Sequence, residues 1–376
     1  MHEVSHDRAS RLDFVEGVRS YNYSTTVRRL IEDYPNRVAR EATPILNWRD
    51  VGRLYQSDHA YLMACGIQRV MQQLGWATAS ESVMDAAPEI RKRLEEARSR
   101  QEYGTLTLDD SLELPEWYTE HTNTGRDDIH LVPGGYWQDP LVGEVYDLGG
   151  AVYRLAWRAG YDARPGALEA FVRLGPQDAR RVLDLGCSFG GLTRAFARLL
   201  PNAEVIGIDL SAAALTYAHM LSEEAKIRVH YRQADAERTG YEDDSFDIVA
   251  AFLLLHEVPT PVRIRILREA YRILRPGGTL MFLDIPPYKA LSPVEAWFES
   301  FDDRGNGENF WSSFLDSDFP AVLTSIGFTD VTEGPLDYDE PNYWGSAALW
   351  RTGEFNPVNR WVTKAKKPTT TEANAR

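Results

Sequence analysis

The sequence is short of positive charge. Its 376 residues include 41 Lys and Arg against 56 Asp and Glu, which gives a formal net charge of -15 at pH 7. A field of this sign repels phosphodiester backbones, so nucleic acid is not expected as a partner. The one positive cluster is Lys364, Lys366 and Lys367, and we interpret it as part of a solvated chain end.

Cysteines and long apolar runs are also scarce. Cys65 and Cys187 are the only cysteines, so the sequence has neither a disulfide framework nor a C-x-x-C metal pair. The longest apolar run, residues 248–255, is too short to span a bilayer. The first residues, MHEVSHDRASRLDF, lack the apolar core of a signal peptide. The sequence therefore predicts a cytoplasmic protein that has no membrane partner.

What the sequence does contain is a strand, a glycine-rich bend and a helix in direct succession at residues 181–194, RVLDLGCSFGGLTR. Residues 181–185 have the apolar and β-branched content of a buried parallel strand. Gly186, Gly190 and Gly191 permit positive φ angles and lack the Cβ atoms that would hold a ligand away from the backbone. This segment predicts a ligand-binding loop at the end of a central strand.

A second apolar strand, EVIGIDLS, follows the loop and ends in Asp209. A carboxylate there can accept hydrogen bonds from both hydroxyls of a ribose. The loop itself reads D-x-G-x-S-x-G-G over residues 184–191. It resembles the first motif of class I S-adenosylmethionine (SAM)-dependent methyltransferases of the small-molecule type. Ser188 departs from that motif because it replaces the middle glycine.

Later motifs extend the resemblance over residues 146–355. VYDLGGAVY, residues 145–153, is similar to the segment that precedes the core in that family. IRVHYRQAD predicts a third strand that ends at Asp235, and FDIVAAFLLLHEVP a fourth that ends at His256 and Glu257. RPGG, at residues 275–278, precedes a fifth strand, as is frequent in the family.

The resemblance implies a fold, a cofactor and the residues that hold it. The fold is α/β, a doubly wound, seven-stranded Rossmann-like methyltransferase sheet of order 3-2-1-4-5-7-6, with an N-terminal, mostly helical domain. FTDVTEG, residues 328–334, and AALWRTGEF, residues 347–355, are its expected closing strands. SAM is the implied cofactor, with Asp209 on the ribose and Asp235 on the adenine. The implied cofactor-binding residues are Tyr146, Tyr153, Asp184, Gly186, Cys187, Ser188, Gly190, Asp209, Leu210, Asp235, Ala236 and Leu253.

Methyl transfer to a small organic acceptor is the implied reaction, with His256, Glu257 and Tyr146 as the catalytic residues. An imidazole with an ordinary pKa near 6.5 suits removal of a proton from a hydroxyl or ammonium acceptor, which slightly favours O-methylation. A small thioether acid would need no base, and His256 would then only position the substrate; N-methylation also stays open. Transfer from a sulfonium requires no metal, and none is predicted.

The domain boundaries follow from the same patterns. Residues 1–135 are predicted to form a helical domain that shapes the pocket and could mediate a homodimer. Residues 136–165 connect it to the cofactor, 166–360 form the SAM-binding domain, and 361–376 are a disordered tail. Within the first segment, Ser57-Asp58 caps a helix that runs to Gly75, Ser80-Glu81 opens another, and residues 104–135 are a polar connector. The aromatic-rich insertion at residues 291–315 covers the substrate, packs on the N-terminal helices, or does both.

Three other interpretations stay open at this point. Residues 186–190 are also a literal G-x-S-x-G, the nucleophile elbow of α/β-hydrolases, with Ser188 as nucleophile and His256 as its base. That interpretation leaves Asp184 and Asp209 unexplained. A SAM-binding enzyme could instead direct a cyclisation or decarboxylation. A binding protein with a relic fold is the third, and the intact Asp209, Asp235 and His256 argue against it.

Overall fold

A computed structural model of the chain describes residues 2–119, 129–132, 134–153, 166–301, 305–336 and 360–371. Within these ranges no helix combines the length and the apolar character that crossing a bilayer would require. The cytoplasmic location and the homodimer stay predictions.

The N-terminal region is helical, as predicted. Its helices are α1 (His6–Tyr21), α2 (Arg28–Glu32), α3 (Tyr34–Val38), α4 (Trp48–Tyr55), α5 (His59–Asp85) and α6 (Ala87–Ser99), with a π-helical turn, Asn22–Val27, between α1 and α2. Asp58 caps α5, because its carboxylate accepts from the backbone N–H groups of Ala60 and Tyr61 at 2.7 and 3.1 Å.

The predicted end of this helix at Gly75 is wrong. Helix α5 continues to Asp85, so Ser80 and Glu81 lie inside it and open no new helix. Gly75 is a packing position, since a Cβ atom there would lie 3.4 Å from a methyl group of Val152 and 3.5 Å from one of Val15. A glycine that lets helices approach has the same sequence signal as one that ends a helix.

The described residues form one sheet of eight strands in the order β1-β4-β3-β2-β5-β6-β8-β7. The strands are β1 (Thr105–Thr107), β2 (Arg181–Leu185), β3 (Glu204–Asp209), β4 (His230–Gln233), β5 (Phe246–Phe252), β6 (Leu274–Asp284), β7 (Thr329–Pro335) and β8 (Trp361–Lys366). Strands β1 to β6 pair in parallel, and β8 is antiparallel to both β6 and β7. From β4 to β7 this is the predicted order 3-2-1-4-5-7-6, and the predicted fold class is confirmed.

Strand β1 corrects the prediction of a polar connector at residues 104–135. It extends the sheet beyond β4, and Thr105 pairs with His230. The buried carboxylate of Glu223 accepts from three consecutive backbone N–H groups, those of Glu102, Tyr103 and Gly104, at 2.9 to 3.1 Å. A three-residue strand held by an acceptor so distant in sequence leaves no local pattern to detect.

Strand β8 corrects the prediction of a disordered tail at residues 361–376 and moves the domain boundary beyond 360. It lies between β6 and β7, with Ala365 fully buried. The lysines that made it look like a solvated end have specific partners: Lys364 Nζ donates to the carbonyl of Leu174 at 3.1 Å, and Lys367 Nζ pairs with Asp244 at 2.6 Å. The other expected closing strand, residues 347–355, lies outside the described residues.

Helices cover both faces of the sheet. They are α7 (Glu116–Thr119), α8 (Val142–Tyr153), α9 (Gly166–Arg173), α10 (Gly191–Leu199), α11 (Ala212–Glu224), α12 (Thr260–Ile273), α13 (Pro293–Glu299), α14 (Trp311–Leu315) and α15 (Phe319–Ile326). Their apolar sides form a hydrophobic core on each face of the sheet. A third hydrophobic core lies between α1, α5 and α8. The carboxyl ends of the parallel strands therefore meet at one edge, where ligands bind in such sheets.

The aromatic insertion packs on the N-terminal helices, which is one of the two roles predicted for it, and its role as a substrate cover stays a prediction. Phe298 on α13 packs edge-on against Tyr55 and Tyr61, with ring centroids 5.5 and 5.6 Å away. Trp311 and Phe314 on α14 instead lie edge-on to the ring of His256, at 5.2 and 6.0 Å. The insertion thus joins the N-terminal helices to the edge of the sheet that carries the site.

Candidate functional site

A cleft of about 1210 Å³, counting the space at its mouth, lies at the carboxyl ends of the parallel strands. Most of the predicted site residues line it: Tyr146, Asp184, Gly186, Cys187, Ser188, Asp209, Leu210, Asp235, Ala236, Leu253 and Glu257. Gly190 and His256 are not among the lining residues, and the side chain of Tyr153 lies outside the described residues.

The glycine bend is built by backbone geometry that few residues tolerate. Gly186 has φ +59°, and an added Cβ atom would lie 2.5 Å from Leu254 Cδ1. Gly190 has φ +78°, and a Cβ atom there would lie 2.2 Å from the hydroxyl of Tyr231. Ser188 is also left-handed at φ +48°, a strained state for a residue with a side chain. The bend therefore requires glycine at positions 186 and 190.

Asp209 fixes the bend to the neighbouring strand. Its two carboxylate oxygens accept from the backbone N–H groups of Ser188 and Ser211, both at 2.8 Å. Burial raises the pKa of Asp209, and these backbone N–H groups act against that rise. The carboxylate thus holds the loop and faces the cleft at once.

Asp184 lies at the bottom of the cleft and is 1% exposed. Thr193 donates its hydroxyl to Asp184 Oδ2 at 2.7 Å, whereas Oδ1 receives no hydrogen bond from any described residue. Burial raises the pKa of this carboxyl group to about 7. An unsatisfied buried oxygen of this kind indicates a ligand that donates to it.

Aromatic rings form the opposite wall. Tyr146 lies parallel to Trp76 with ring centroids 5.9 Å apart, and it meets Tyr136 and Phe189 edge-on at 4.9 and 5.6 Å. Trp117 also lines the cleft, although it belongs to the segment that was predicted to be a polar connector. Its aromatic residues were the available signal that the segment contributes to the site.

His256 is held between carboxylates. Its Nδ1 lies 2.6 Å from Asp284 Oδ1, and its Nε2 lies 3.3 Å from Glu257 Oε1. Burial lowers the pKa of His256, but the carboxylates of Asp284 and Glu257 outweigh burial and raise it to about 10. Because carboxylates engage both ring nitrogens, this arrangement fits the predicted positioning group, and the predicted role of His256 as a base stays a prediction.

Two residues that the sequence analysis missed complete this part of the site. His130 Nε2 lies 3.1 Å from Glu257 Oε1 and 2.6 Å from Glu308 Oε1. Burial lowers the pKa of His130, and Glu308 and Glu257 raise it well above its usual value. His130 comes from the loop before α8 and Glu308 from the aromatic insertion, so no spacing motif links them to His256.

The contacts of His256 with Asp284 and Glu257 argue against the hydrolase interpretation. Both ring nitrogens of His256 are engaged by carboxylates, those of Asp284 and Glu257. A nucleophilic Ser188 would need one of these nitrogens as its base. Asp209 and Asp184, which that interpretation left unexplained, are instead explained as residues that build the cleft.

Residues 182–278 match a family model described as a methyltransferase domain. These residues resemble a methyltransferase domain. The match supports the resemblance to methyltransferases that the sequence predicted, and the activity and the cofactor of the whole protein belong to the proposal below. It covers strands β2 to β5 and the cleft side of the sheet, but neither the N-terminal helices nor the aromatic insertion.

Curated relatives and solved structures resemble the methyltransferase domain over limited lengths. The ubiquinone biosynthesis O-methyltransferase of Pseudomonas putida is 38% identical over 107 residues, which is 28% of this chain and 44% of the relative. The enzyme of that name from Alkalilimnicola ehrlichii is 38% identical over 110 residues, 29% of this chain and 43% of its own. The chain thus spans less than half the length of these relatives. Phosphoethanolamine N-methyltransferase 2 of Haemonchus contortus, solved with SAM, has a TM-score of 0.42 at 21% identity over 54% of this chain and 52% of its own.

Proposed function

We propose that the protein transfers a methyl group from SAM to a hydroxyl of a small organic acceptor. The observation that carries this proposal is a continuous cleft that runs from the glycine bend, past Asp209 and Asp235, to Glu257. Such a cleft has room for the cofactor at one end and a small acceptor at the other. The Pseudomonas putida relative, whose name specifies O-methylation, supports the choice of a hydroxyl acceptor.

The residues of the cleft fit the cofactor. The unsatisfied Oδ1 of Asp184 would accept a hydrogen bond from the amino group of SAM, and Asp209 would accept from the ribose hydroxyls. Asp235 and Ala236 would contact the adenine, with Leu210, Leu253 and the bend from Gly186 to Ser188 around them. Bound in this way, SAM supplies a sulfonium methyl group that an acceptor oxygen can attack in line.

The remaining residues would orient the acceptor and exclude water. Tyr146 and the aromatic wall close one side of the cleft, which favours a near-attack geometry without competing solvent. Glu257 faces the acceptor end, and His256 holds it there through the 3.3 Å contact. We therefore assign Glu257 to the acceptor, whose hydroxyl proton its carboxylate would take as the methyl group leaves the sulfonium, and His256 to a positioning role.

Isotope transfer tests this proposal directly. The full chain is incubated with SAM labelled in its methyl group and with a panel of phenols, aliphatic alcohols, amines and thioethers. Label in a phenol or alcohol product, with one S-adenosylhomocysteine released for each, supports the proposal. Label only in amines or thioethers contradicts the acceptor class, and consumption of SAM with no methylated product supports a non-methylating reaction instead. A Glu257→Ala variant should bind SAM normally and lose acceptor turnover.

A further inference from the structure

Four side chains near the acceptor end of the cleft converge on one point. They are His130, His256, Glu257 and Glu308, and one ligand atom of each lies within 4.8 Å of all the others. They come from three separate parts of the chain: the loop before α8, the turn after β5, and the aromatic insertion. His256 and Glu308 are almost fully buried, with side-chain exposures of 4% and 3%.

The distances between these atoms fit a tetrahedral metal centre. Ligand atoms at about 2.0–2.1 Å from a zinc ion are about 3.3 Å from one another. The Nε2 atoms of His130 and His256 lie 3.1 and 3.3 Å from Glu257 Oε1, and 2.6 and 4.0 Å from the nearest carboxylate oxygen of Glu308. Small side-chain shifts would therefore bring all four residues to bonding distance of one ion.

Two carboxylate oxygens in the cluster are unsatisfied. Glu257 Oε2 and Glu308 Oε2 are buried and receive no hydrogen bond from the described residues. Burying an ionised carboxylate oxygen without a donor is costly, and a cation between the carboxylates would remove that cost. This observation is independent of the interatomic distances and points to the same ligand.

Both imidazoles are oriented by second partners, as in metal centres. Asp284 accepts from His256 Nδ1 at 2.6 Å, and the hydroxyl of Tyr136 contacts His130 Nδ1. In each case the contact fixes the ring and leaves Nε2 to face the centre of the cluster. A carboxylate or hydroxyl on the outer nitrogen is the usual arrangement for metal-bound histidines.

We propose that His130, His256, Glu257 and Glu308 bind one divalent transition-metal ion of the zinc type. Two nitrogen and two oxygen ligands favour such an ion over Mg²⁺ or Ca²⁺, which prefer oxygen alone. No metal was predicted from the sequence because transfer from a sulfonium requires none, and these four residues share no spacing motif that would have indicated a site. Since Glu257 also lines the cleft, the ion lies beside the acceptor end; that placement rests on the proposed function, whereas the site itself does not.

Cobalt titration tests the site without any assay of activity. The full chain is treated with a chelator, dialysed and titrated with Co²⁺, and the visible absorption of tetrahedral Co²⁺ is followed. We expect saturation at one equivalent and displacement of the colour by Zn²⁺ but not by excess Mg²⁺. Bound metal should also raise the midpoint of thermal unfolding, because only the folded chain assembles the site.

Variants locate the ion. Glu308→Gln and His130→Gln each remove one ligand and should weaken Co²⁺ binding at least 100-fold, and Asp284→Asn, which loosens the orientation of His256, about 10- to 100-fold. Glu144→Gln is the matched control. Glu144 is also buried, carries an unsatisfied oxygen and pairs with an imidazole, that of His2 at 2.9 Å, but it belongs to no ligand cluster among the described residues.

The outcomes separate cleanly. Stoichiometric Co²⁺ binding that Glu308→Gln and His130→Gln weaken and Glu144→Gln leaves unchanged supports the site. No stoichiometric binding by the folded wild-type chain, shown to be folded by its circular dichroism, overturns it. Equal binding by wild type and the two ligand variants also overturns it. SAM binding measured on the same samples keeps failure of the metal site apart from failure of the proposed function.

Discussion

Asp209→Asn should weaken cofactor binding while it leaves the fold in place. The wild-type carboxylate accepts two backbone N–H groups, from Ser188 and Ser211, each at 2.8 Å. Asparagine has almost the same shape but only one acceptor oxygen, so its amide group would face one of these N–H donors. The bend then loses one anchor, and the proposed ribose contact loses its charge.

The loss of one hydrogen bond to the Asp209 carboxylate sets the expected loss of affinity for SAM. A hydrogen bond to a charged group contributes about 1.5–3 kcal/mol. Loss of one such bond corresponds to a roughly 10- to 150-fold weaker affinity for SAM. Calorimetric titration with SAM and with S-adenosylhomocysteine measures it, and both ligands should be affected alike because they share the ribose.

Asp247→Asn supplies the control. Asp247 also accepts two backbone N–H groups, those of Arg180 and Arg181 at 2.5 and 2.8 Å, but it does so at the amino end of β2, away from the cleft. Its substitution should lower the free energy of unfolding and leave cofactor affinity unchanged. Wild-type affinity in Asp209→Asn would refute the assignment, and an equal loss in both variants would show general destabilisation instead.

Four further predictions concern pH, the glycine bend and the sheet. SAM affinity should rise about tenfold between pH 6 and pH 8, because Asp184, with its pKa at about 7, must ionise to accept a hydrogen bond from the amino group of SAM. Calorimetry at several pH values should show that Asp184→Asn abolishes this dependence of affinity on pH. The same raised pKa should make the SAM-free chain less stable as pH rises from about 4 to 7, since the folded state holds the proton more tightly than the unfolded state. Gly190→Ala should lower the free energy of unfolding by about 1–2 kcal/mol because of its left-handed backbone alone. The contact of the added methyl group with the hydroxyl of Tyr231 adds a steric cost. Denaturant titrations should show that Tyr231→Phe partly relieves this cost. Removal of residues 361–376 should abolish soluble expression, whereas removal of 372–376 should not; a soluble chain lacking 361–376 with unchanged thermal unfolding would contradict the position of β8.

The proposed cofactor side of the cleft was predictable because its signals are local. A strand, a glycine bend and an acidic residue at the end of the next strand occur within about thirty residues, and each has a direct physical requirement for its residue type. Asp184, Ser188 and Asp209 accordingly line one cleft, as predicted. The apolar run that forms β5 likewise placed Glu257 at the same edge of the sheet.

The proposed acceptor side was not predictable in the same way. His130 and Glu308 are 178 positions apart in the sequence, yet an imidazole nitrogen of one lies 2.6 Å from a carboxylate oxygen of the other. Strand β8 was missed for a related reason. Lys364 in the strand and Lys367 directly after it have specific partners that only the folded sheet provides. Contacts made between distant segments leave no period or spacing in the sequence for such reasoning to use.

The residues around the cleft come partly from the stretch 182–278 and partly from the segments that flank it. Residues 182–278 contain Asp184, Asp209 and Asp235, but Tyr146, His130 and Glu308 lie outside them. A chimera that grafts only this stretch onto another protein would carry the proposed cofactor residues together with His256 and Glu257, but it would lack Tyr146, His130 and Glu308. Under the proposed function, a change of acceptor would therefore alter Glu257, the flanking helices and the insertion, while Asp184, Asp209 and Asp235 stay as they are.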